Sequence, residues 1–370
     1  MKSTAFKELR VLAGKNNPPI RESRFAFSYE SFRAAGLKRL RQRYDFDALS
    51  ASATSDWELM CALRDWLSAR WDHGYDNTTK GDSPTGLEYL MRSEQGESFT
   101  CAIFAHTLVE MLTCVGIPAR NLSIGRGSSD FIAPQDEVGH SICEAWSNHH
   151  RKWIVLDADA GAHYESQGVP LSALEIRQAW LDGRWQELNF VRAPRVPAIR
   201  YETFDGSRHQ LAKEFQKFYR RNIIDFYENL VYPTTHRHFY RPRQARRLMW
   251  FDAGCPPRMV RHNVAVAPED YTVTSRRDDV EHSLNHAFLR VFCAGRTDSK
   301  PSQTLQVHAE TQTPWFSHYE VKIGDGAWRR AALPVTWKVQ EGDNTVAVRP
   351  VNAFRRIGIE SSLTLRMSRK

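Results

Sequence analysis

The sequence predicts an α+β protein in which helices pack on an antiparallel sheet, followed by a mixed middle region and a C-terminal β-sandwich. Three observations lead to this prediction. Amphipathic helical patterns run up to Gly116, consecutive β-rich segments follow directly, and a regular alternation of apolar and polar residues begins near Glu281. The chain has 370 residues, of which 41% are apolar, so it can form two or three domains with sizeable cores.

Helical periodicity accounts for the first part of the chain. Apolar residues spaced three and four apart predict helices over 29–44 and 54–71, and a short helix is expected over 87–92. A further helix is expected to begin one or two residues before Cys101 and to stop at Gly116, since glycine readily adopts the left-handed conformation that ends many helices.

Three β-rich segments follow this helix, namely NLSIGR, GHSICEAWS and KWIVLDAD. The last two are separated by the polar sequence NHHR, which predicts a turn and therefore an antiparallel hairpin. Because side chains alternate along a strand, this hairpin places His140 and Asp157 on one face, directly opposed or diagonal. Asp159 has the same parity and is the alternative to Asp157.

Cys101 is predicted to lie in the first turn of its helix. There the backbone N–H groups have no partner within the helix, and they favour the thiolate form of a cysteine. A cysteine at this position, with a histidine and an aspartate on neighbouring strands, is typical of a Cys-His-Asp nucleophile system. His140 would take the thiol proton and return one to the leaving group, while Asp157 would hold the imidazole in the correct tautomer.

The sequences TCAIFAHTLVEMLTCVGIPAR, GHSICEAW and KWIVLDAD resemble the transglutaminase-like family, which shares the papain-like fold. That family has a Cys-led helix ending in G-I-P-A-R, a strand that opens with His, and a W-x-x-x-D motif. The similarity extends over about residues 56–159. It implies a transglutaminase-like (papain-like) core, with Cys101 as nucleophile, His140 as base and Asp157 as orienting acid.

The resemblance also implies candidates for the group that stabilises the oxyanion. The sequence ARWDHGY is similar to the R-W-D-x-x-Y stretch of animal transglutaminases, in which the indole N–H of the tryptophan contributes to that stabilisation. This match implies Trp71, although the residue also ends an apolar helix stripe and equally fits packing in the core. Gln95, which precedes Cys101 as a glutamine does in papain-like proteases, is the competing donor.

The remaining sequence predicts two further regions. The prolines in RAPRVP mark a boundary, so we assign residues 1–195 to the catalytic domain and 196–280 to a helical and basic connecting region. A helix is expected over 210–229, followed by the basic and aromatic run THRHFYRPRQARR, which we interpret as a solvated face rather than a phosphate site. The alternating segments in 281–370 predict an immunoglobulin-like β-sandwich.

Composition excludes several classes of function. The net charge is +8, but 51 basic residues stand against 43 acidic ones, so the surface is mixed and nucleic-acid binding is not expected. The chain shows no signal-like segment and no apolar run of membrane-spanning length, which predicts a cytoplasmic protein. Its six cysteines form no CxxC pair and are expected to be reduced. No HExxH motif is present, so neither a metal nor a cofactor is predicted.

These observations together predict cysteine-dependent acyl transfer through a thioacyl intermediate. The expected acyl donor is an amide, isopeptide or thioester carbonyl in a protein, a peptide or a small molecule. Water or an amine acceptor would resolve the intermediate, so the enzyme would be a transglutaminase-like acyltransferase or a cysteine peptidase or amidase. The alternative is a catalytically silent protein that keeps the fold as a binding scaffold.

Overall fold

The structure is a computed structural model, and it divides the chain into two compact units, residues 23–281 and residues 1–22 with 282–370. The residues that the structure describes are 7–14, 16–74, 85–125, 139–192, 200–202, 208–210, 224–234, 247–250, 271–293 and 304–369. Among these residues, no helix has the length and apolar character that crossing a membrane requires.

The larger unit, residues 23–281, contains both helices and strands. Its helices are α1 (Ala35–Arg43), α2 (Phe46–Ser52), α3 (Asp56–Ser68), α4 (Gly86–Ser93), α5 (Cys101–Cys114), α6 (Ala173–Leu181) and α7 (Arg277–Val280). Its strands, numbered after β1 (Lys7–Ala13) of the other unit, are β2 (Ala119–Gly125), β3 (Gly139–Ser147), β4 (Lys152–Leu156), β5 (Ala162–Ser166), β6 (Val169–Pro170), β7 (Asn189–Arg192), β8 (Arg200–Glu202), β9 (Arg208–Gln210), β10 (Asn229–Pro233), β11 (Arg247–Trp250) and β12 (Tyr271–Thr274).

A sheet of six strands in the order β12-β11-β10-β2-β3-β4 organises this unit. Its pairs are antiparallel except for β11 and β12, which run parallel. Helix α5 packs on β2 and β3, and its apolar side chains share a buried cluster with those of α1, α3 and α4. The predicted α+β architecture is therefore confirmed, including the antiparallel hairpin of β3 and β4.

The predicted helices agree best with the structure where a capping residue marks the end of the helix. Helix α3 begins after Ser55, whose hydroxyl accepts from the Glu58 backbone N–H, and α5 is followed by Gly116 at φ 82°. The prediction of a helix starting at residue 29 is wrong, because α1 begins at Ala35. The Ser31 hydroxyl instead accepts the backbone N–H of Arg33, a local turn that competes with helix formation.

The prediction of a helix over 210–229 is wrong where the structure describes it. Gln210 ends β9, residues Asp225–Glu228 form a 3₁₀ turn, and Asn229 begins β10. The intervening residues 211–223 lie outside the described residues. The predicted basic run also lies outside them, apart from Arg247 at the start of β11.

The arginine of the GIPAR sequence has a structural role in the six-stranded sheet. Arg120 on β2 is 3% exposed, and its Nε donates to Glu144 on β3 at 3.0 Å. Its guanidinium lies over the rings of Trp153, at 4.1 Å, and Tyr232, at 4.6 Å. A buried charge is costly unless it is paired, and here the pairing joins neighbouring strands, so Arg120 fixes β2 and β3 together.

The smaller unit consists almost entirely of strands. Besides β1 it contains β13 (Ala287–Cys293), β14 (Thr304–Thr311), β15 (Phe316–Ile323), β16 (Arg329–Ala331), β17 (Val335–Lys338), β18 (Gly342–Asn352) and β19 (Ser361–Arg369). One sheet has the order β1-β19-β18-β15-β16 and the other β13-β14-β17, and apolar residues of both form one buried cluster. The predicted C-terminal β-sandwich agrees with this arrangement, whereas its immunoglobulin-like character and the three-domain division stay predictions.

Candidate active site

Cys101 is the first residue of α5 and therefore lies in the first turn, where the sequence predicted it. Thr100 before it is extended, with φ −73° and ψ 168°, and its carbonyl accepts the backbone N–H of Ile103 at 2.9 Å. The N–H groups of the first turn have no acceptor within a helix, and the helix dipole is positive at this end. The thiol is half-buried in this environment, so it remains open to a reagent on one side.

His140 lies near the start of β3 and contacts the carboxylate of Asp157. The distance between His140 Nε2 and Asp157 Oδ2 is 2.8 Å, and both residues are about 5% exposed. Their strands pair with Cys143 opposite Leu156, so His140 and Asp157 are diagonal neighbours on one face. This is the relation that the hairpin parity predicted.

Asp157 is held rigidly by the backbone that follows β4. Its N–H donates to the carbonyl of Ala162 at 2.9 Å, and the N–H of Ala162 donates back to its carbonyl at 2.8 Å. Its Oδ1 accepts the N–H of Ala160 at 3.0 Å. Both carboxylate oxygens therefore have partners, one in the turn and one in the imidazole of His140.

The His140 imidazole also interacts with the thiol of Cys101. Because Nε2 contacts Asp157, Nδ1 is the ring nitrogen that remains for the sulfur. Burial lowers the pKa of His140, but the charges and hydrogen bonds of Asp157 and Cys101 outweigh this effect and hold the pKa well above its ordinary value. The structure thus brings together the three residues that the sequence predicted as a triad.

A second histidine and aspartate lie beside these residues, and sequence reasoning missed the histidine. His73 Nδ1 is 2.9 Å from Asp159 Oδ2 and 3.0 Å from Oδ1. Burial lowers the pKa of His73, but Asp159 and Cys101 raise it above its ordinary value overall. A backbone bridge to Phe99 fixes His73 beside the residues that lead into α5.

Asp159, which the sequence offered as the alternative to Asp157, contacts His73 rather than His140 in this pair. It lies in the tight turn between Asp157 and Ala162, and it is 7% exposed because it pairs with His73. Two features of the sequence draw attention to these residues, although neither feature pairs them with each other. Asp159 shares the parity of Asp157, and His73 lies within the same ARWDHGY stretch as Trp71.

The two oxyanion candidates lie in different environments. Trp71 is 7% exposed, stacks on Phe104 at 4.5 Å between ring centroids and meets Phe99 edge-on at 5.4 Å. Its buried indole N–H finds no acceptor among the residues that the structure describes. Gln95 is exposed in the turn after α4, where its backbone N–H donates to Arg92.

One group of side chains has the composition of a metal site, although the sequence predicted none. One ligand atom each from Cys101, His140 and Asp159 lies within 4.8 Å of the others. Sulfur, imidazole nitrogen and carboxylate oxygen are the donors that zinc commonly takes in proteins. The site can therefore be considered both as a nucleophile system and as a ligand set.

The other cysteines within the described residues have no disulfide partner. Burial raises the pKa of Cys61 to about 12, and it also raises the pKa values of Cys114 and Cys143. Such thiols are poor nucleophiles near neutral pH. Cys293 is exposed on β13, and Cys255 lies outside the described residues.

Comparisons with known proteins agree with the resemblance seen in the sequence. The model of the Transglutaminase-like superfamily matches residues 46–158, a range that includes Cys101, His140 and Asp157 and ends one residue before Asp159. Curated proteins give no significant match. A crystal structure of red sea bream transglutaminase aligns over 89% of this chain and 71% of its own, at 10% identity and a TM-score of 0.25, a similarity too low to carry a structural argument.

Proposed function

Since residues 46–158 form a domain of the transglutaminase-like superfamily, we propose that the chain catalyses acyl transfer through a thioester on Cys101. The substrate is an amide, an isopeptide bond or a thioester, and the acyl group passes to water or to an amine. One observation carries the proposal. His140 Nε2 contacts Asp157 at 2.8 Å while the same imidazole interacts with a thiol in the first turn of a helix.

The first half of the reaction forms the acyl-enzyme. His140 accepts the proton of the Cys101 thiol, and the sulfur attacks the carbonyl carbon to give a tetrahedral intermediate. The imidazolium then donates this proton to the leaving amine or thiol as the bond to carbon breaks. Asp157 keeps the proton of the neutral imidazole on Nε2, so that Nδ1 is available to the sulfur, and it stabilises the imidazolium.

In the second half of the reaction, an acceptor attacks the thioester and releases the acyl group. Water or a primary amine loses a proton to His140 and attacks the thioester carbonyl carbon. The carbon–sulfur bond breaks, the acid or new amide leaves, and the proton returns to the thiol. The same residues therefore support both hydrolysis and transfer, and the acceptor that reaches the thioester decides the product.

Trp71 is the better candidate for stabilising the negative oxygen of each tetrahedral intermediate. An unpaired buried N–H costs free energy in the resting protein, and a donor of this kind can gain an acceptor when the oxyanion forms. Its ring packs on Phe99 and Phe104, the residues that flank the start of α5. The N–H groups of that first turn provide the second donor. Gln95 remains less suitable because its side chain is exposed.

The proposal is tested by alkylation of the full chain with iodoacetamide at pH 6 in the presence of EDTA, with the adducts mapped to individual cysteines. Cys101 should react at least ~10-fold faster than Cys293, an exposed thiol that serves as the internal control. The His140→Ala variant should remove this advantage, because the imidazole that accepts the proton is gone. If Cys101 reacts no faster than Cys293 in the unmodified chain, the proposed nucleophile is wrong.

A further inference from the structure

We propose that Cys101, His140 and Asp159 bind a single Zn²⁺ ion, with His73 and Asp157 as outer partners. One ligand atom from each of the three proposed ligands lies within 4.8 Å of the others. Among the residues that the structure describes, this is the one group of cysteine, histidine and acidic side chains that meets this condition. The proposal uses residues of the acyl-transfer site but does not depend on that activity.

The distances fit a tetrahedral zinc ion after a small contraction. Zinc lies about 2.3 Å from sulfur and about 2.0–2.2 Å from nitrogen and oxygen, so its ligand atoms are about 3.3–3.6 Å apart. A spread of at most 4.8 Å thus requires movements on the order of 1 Å. Side-chain rotations provide such movements without displacing the helix, the strand or the turn that carry the ligands.

The partners around the ligands are those that a zinc site needs. Metal-binding histidines donate their other ring N–H to a carboxylate, and His140 Nε2 already contacts Asp157 at 2.8 Å. Metal-binding carboxylates are themselves hydrogen-bonded, and the Nδ1 of His73 lies 2.9 and 3.0 Å from the two oxygens of Asp159. The hydrogen-bonding partners of the proposed ligands are therefore already in place before zinc binds.

Three protein ligands leave a fourth position on the ion. Cys101 is half-buried whereas His140 and Asp159 are buried, so this position lies on the open side of the thiol, where water completes the coordination. Binding replaces the thiol proton by the ion, with the proton released to solvent. Because the sulfur then carries zinc, it cannot attack a carbonyl, and the ion acts as a reversible inhibitor of the nucleophile.

Two other buried histidines in the same unit contact a carboxylate but lack this arrangement. His106 Nε2 lies 3.3 Å from Glu110 Oε1 on the far side of α5, and His163 Nε2 lies 2.8 Å from Glu165 Oε1 on β5. Neither pair belongs to a three-ligand group within the described residues. The Glu110→Gln variant therefore provides a matched control, because it alters the carboxylate partner of a buried histidine on the same helix.

Metal binding is measured on the full chain after removal of metal with a chelator. Titration calorimetry with Zn²⁺ should give one ion per chain, and Co²⁺ should give the absorption bands of tetrahedral coordination together with thiolate-to-cobalt charge transfer. Cys101→Ala should lose the charge-transfer band, Asp159→Asn should weaken zinc binding at least ~10-fold, and His73→Gln should weaken it ~10-fold. Glu110→Gln should bind as the unmodified chain does.

Alkylation gives a second readout that needs neither a substrate nor a variant. Saturating Zn²⁺ should protect Cys101 from iodoacetamide at least ~10-fold, EDTA should reverse the protection, and Cys293 should react equally in both conditions. Equal zinc affinity in Cys101→Ala and the unmodified chain, or unprotected Cys101 at saturating zinc, would overturn the proposal. Zinc binding without any acyl transfer would contradict the proposed function alone, whereas a reactive Cys101 that zinc does not protect would contradict this inference alone.

Discussion

Two buried histidines in the larger unit make the same contact through one ring nitrogen and different contacts through the other. Nε2 of His140 and Nε2 of His163 each lie 2.8 Å from a carboxylate oxygen. Nδ1 of His163 meets the guanidinium of Arg64 at 2.6 Å, whereas the remaining contact of His140 is with the thiol of Cys101. The partner at Nδ1 therefore distinguishes the two imidazoles.

The different partners shift the pKa values of the two imidazoles in opposite directions. Burial and the positive charge of Arg64 lower the pKa of His163, so this imidazole is neutral and accepts a hydrogen bond from the guanidinium. The neighbouring Cys61 lies within α3 rather than at its first turn, and burial raises its pKa to about 12. A cysteine, a histidine and acidic residues are thus insufficient for a nucleophile, because the position of the cysteine and the charge facing the imidazole also matter.

The largest difference in activity is expected between the replacement of Cys101 and the replacement of Cys61. Cys101→Ala should abolish turnover of any ester, thioester or amide that the protein cleaves, since no other group can form the thioester. Cys61→Ala should change kcat/KM by less than about 2-fold. Steady-state kinetics with a check of folding by circular dichroism measures both, and equal activity of Cys101→Ala and the unmodified chain would contradict the comparison.

The second largest difference in activity is expected between variants of Asp157 and Asp159, the two aspartates that follow β4. Asp157→Asn should lower kcat/KM at least ~10²-fold, because an amide favours the wrong tautomer of His140. Asp159→Asn should lower it less than ~10-fold, since its carboxylate pairs with His73 instead. The measurement is kcat/KM in the presence of EDTA, and the reverse ranking would assign the orienting role to Asp159.

Trp71→Phe should lower kcat ~10²-fold with little change in KM, because it removes a donor that acts on the tetrahedral intermediate. The phenyl ring keeps the contacts with Phe99 and Phe104, so the fold should persist. Trp146→Phe is the matched control, since the Nε1 of that residue donates to Asn148 at 3.0 Å in the hairpin turn. Similar losses in both variants would show that the effect of Trp71 is one of packing.

The smallest effect on activity is expected at His163, where stability should change instead. Because its pKa is lowered in the folded state, the unfolded chain binds more protons as the pH falls below the ordinary histidine value of about 6.5. The free energy of unfolding should therefore decrease on acidification below that value, and His163→Gln should reduce the decrease. Denaturant titrations at pH 7 and pH 5 measure this difference, and an identical pH dependence in both chains would mean that His163 is not held neutral.

Much of the site could be predicted from the sequence because local rules position it. A helix start after an extended residue placed Cys101, and strand parity placed His140 beside Asp157. The pair of His73 and Asp159 could not be predicted in the same way, because it depends on a backbone bridge between His73 and Phe99. His73 and Phe99 lie outside the regular helices and strands, so no helix or strand periodicity in the sequence relates them. Likewise, the neutral state of His163 depends on Arg64, which is distant in sequence.

The pairing of β1 with β19 affects the order in which the chain can fold during synthesis. These strands lie near opposite ends of the sequence, and they are antiparallel neighbours, with Lys7 opposite Arg369. Residues 23–281 form a unit that is complete long before β19 leaves the ribosome. Since domains generally fold as units and in order of emergence, the segment with β1 must wait through the synthesis and folding of the larger unit before its partner strand exists.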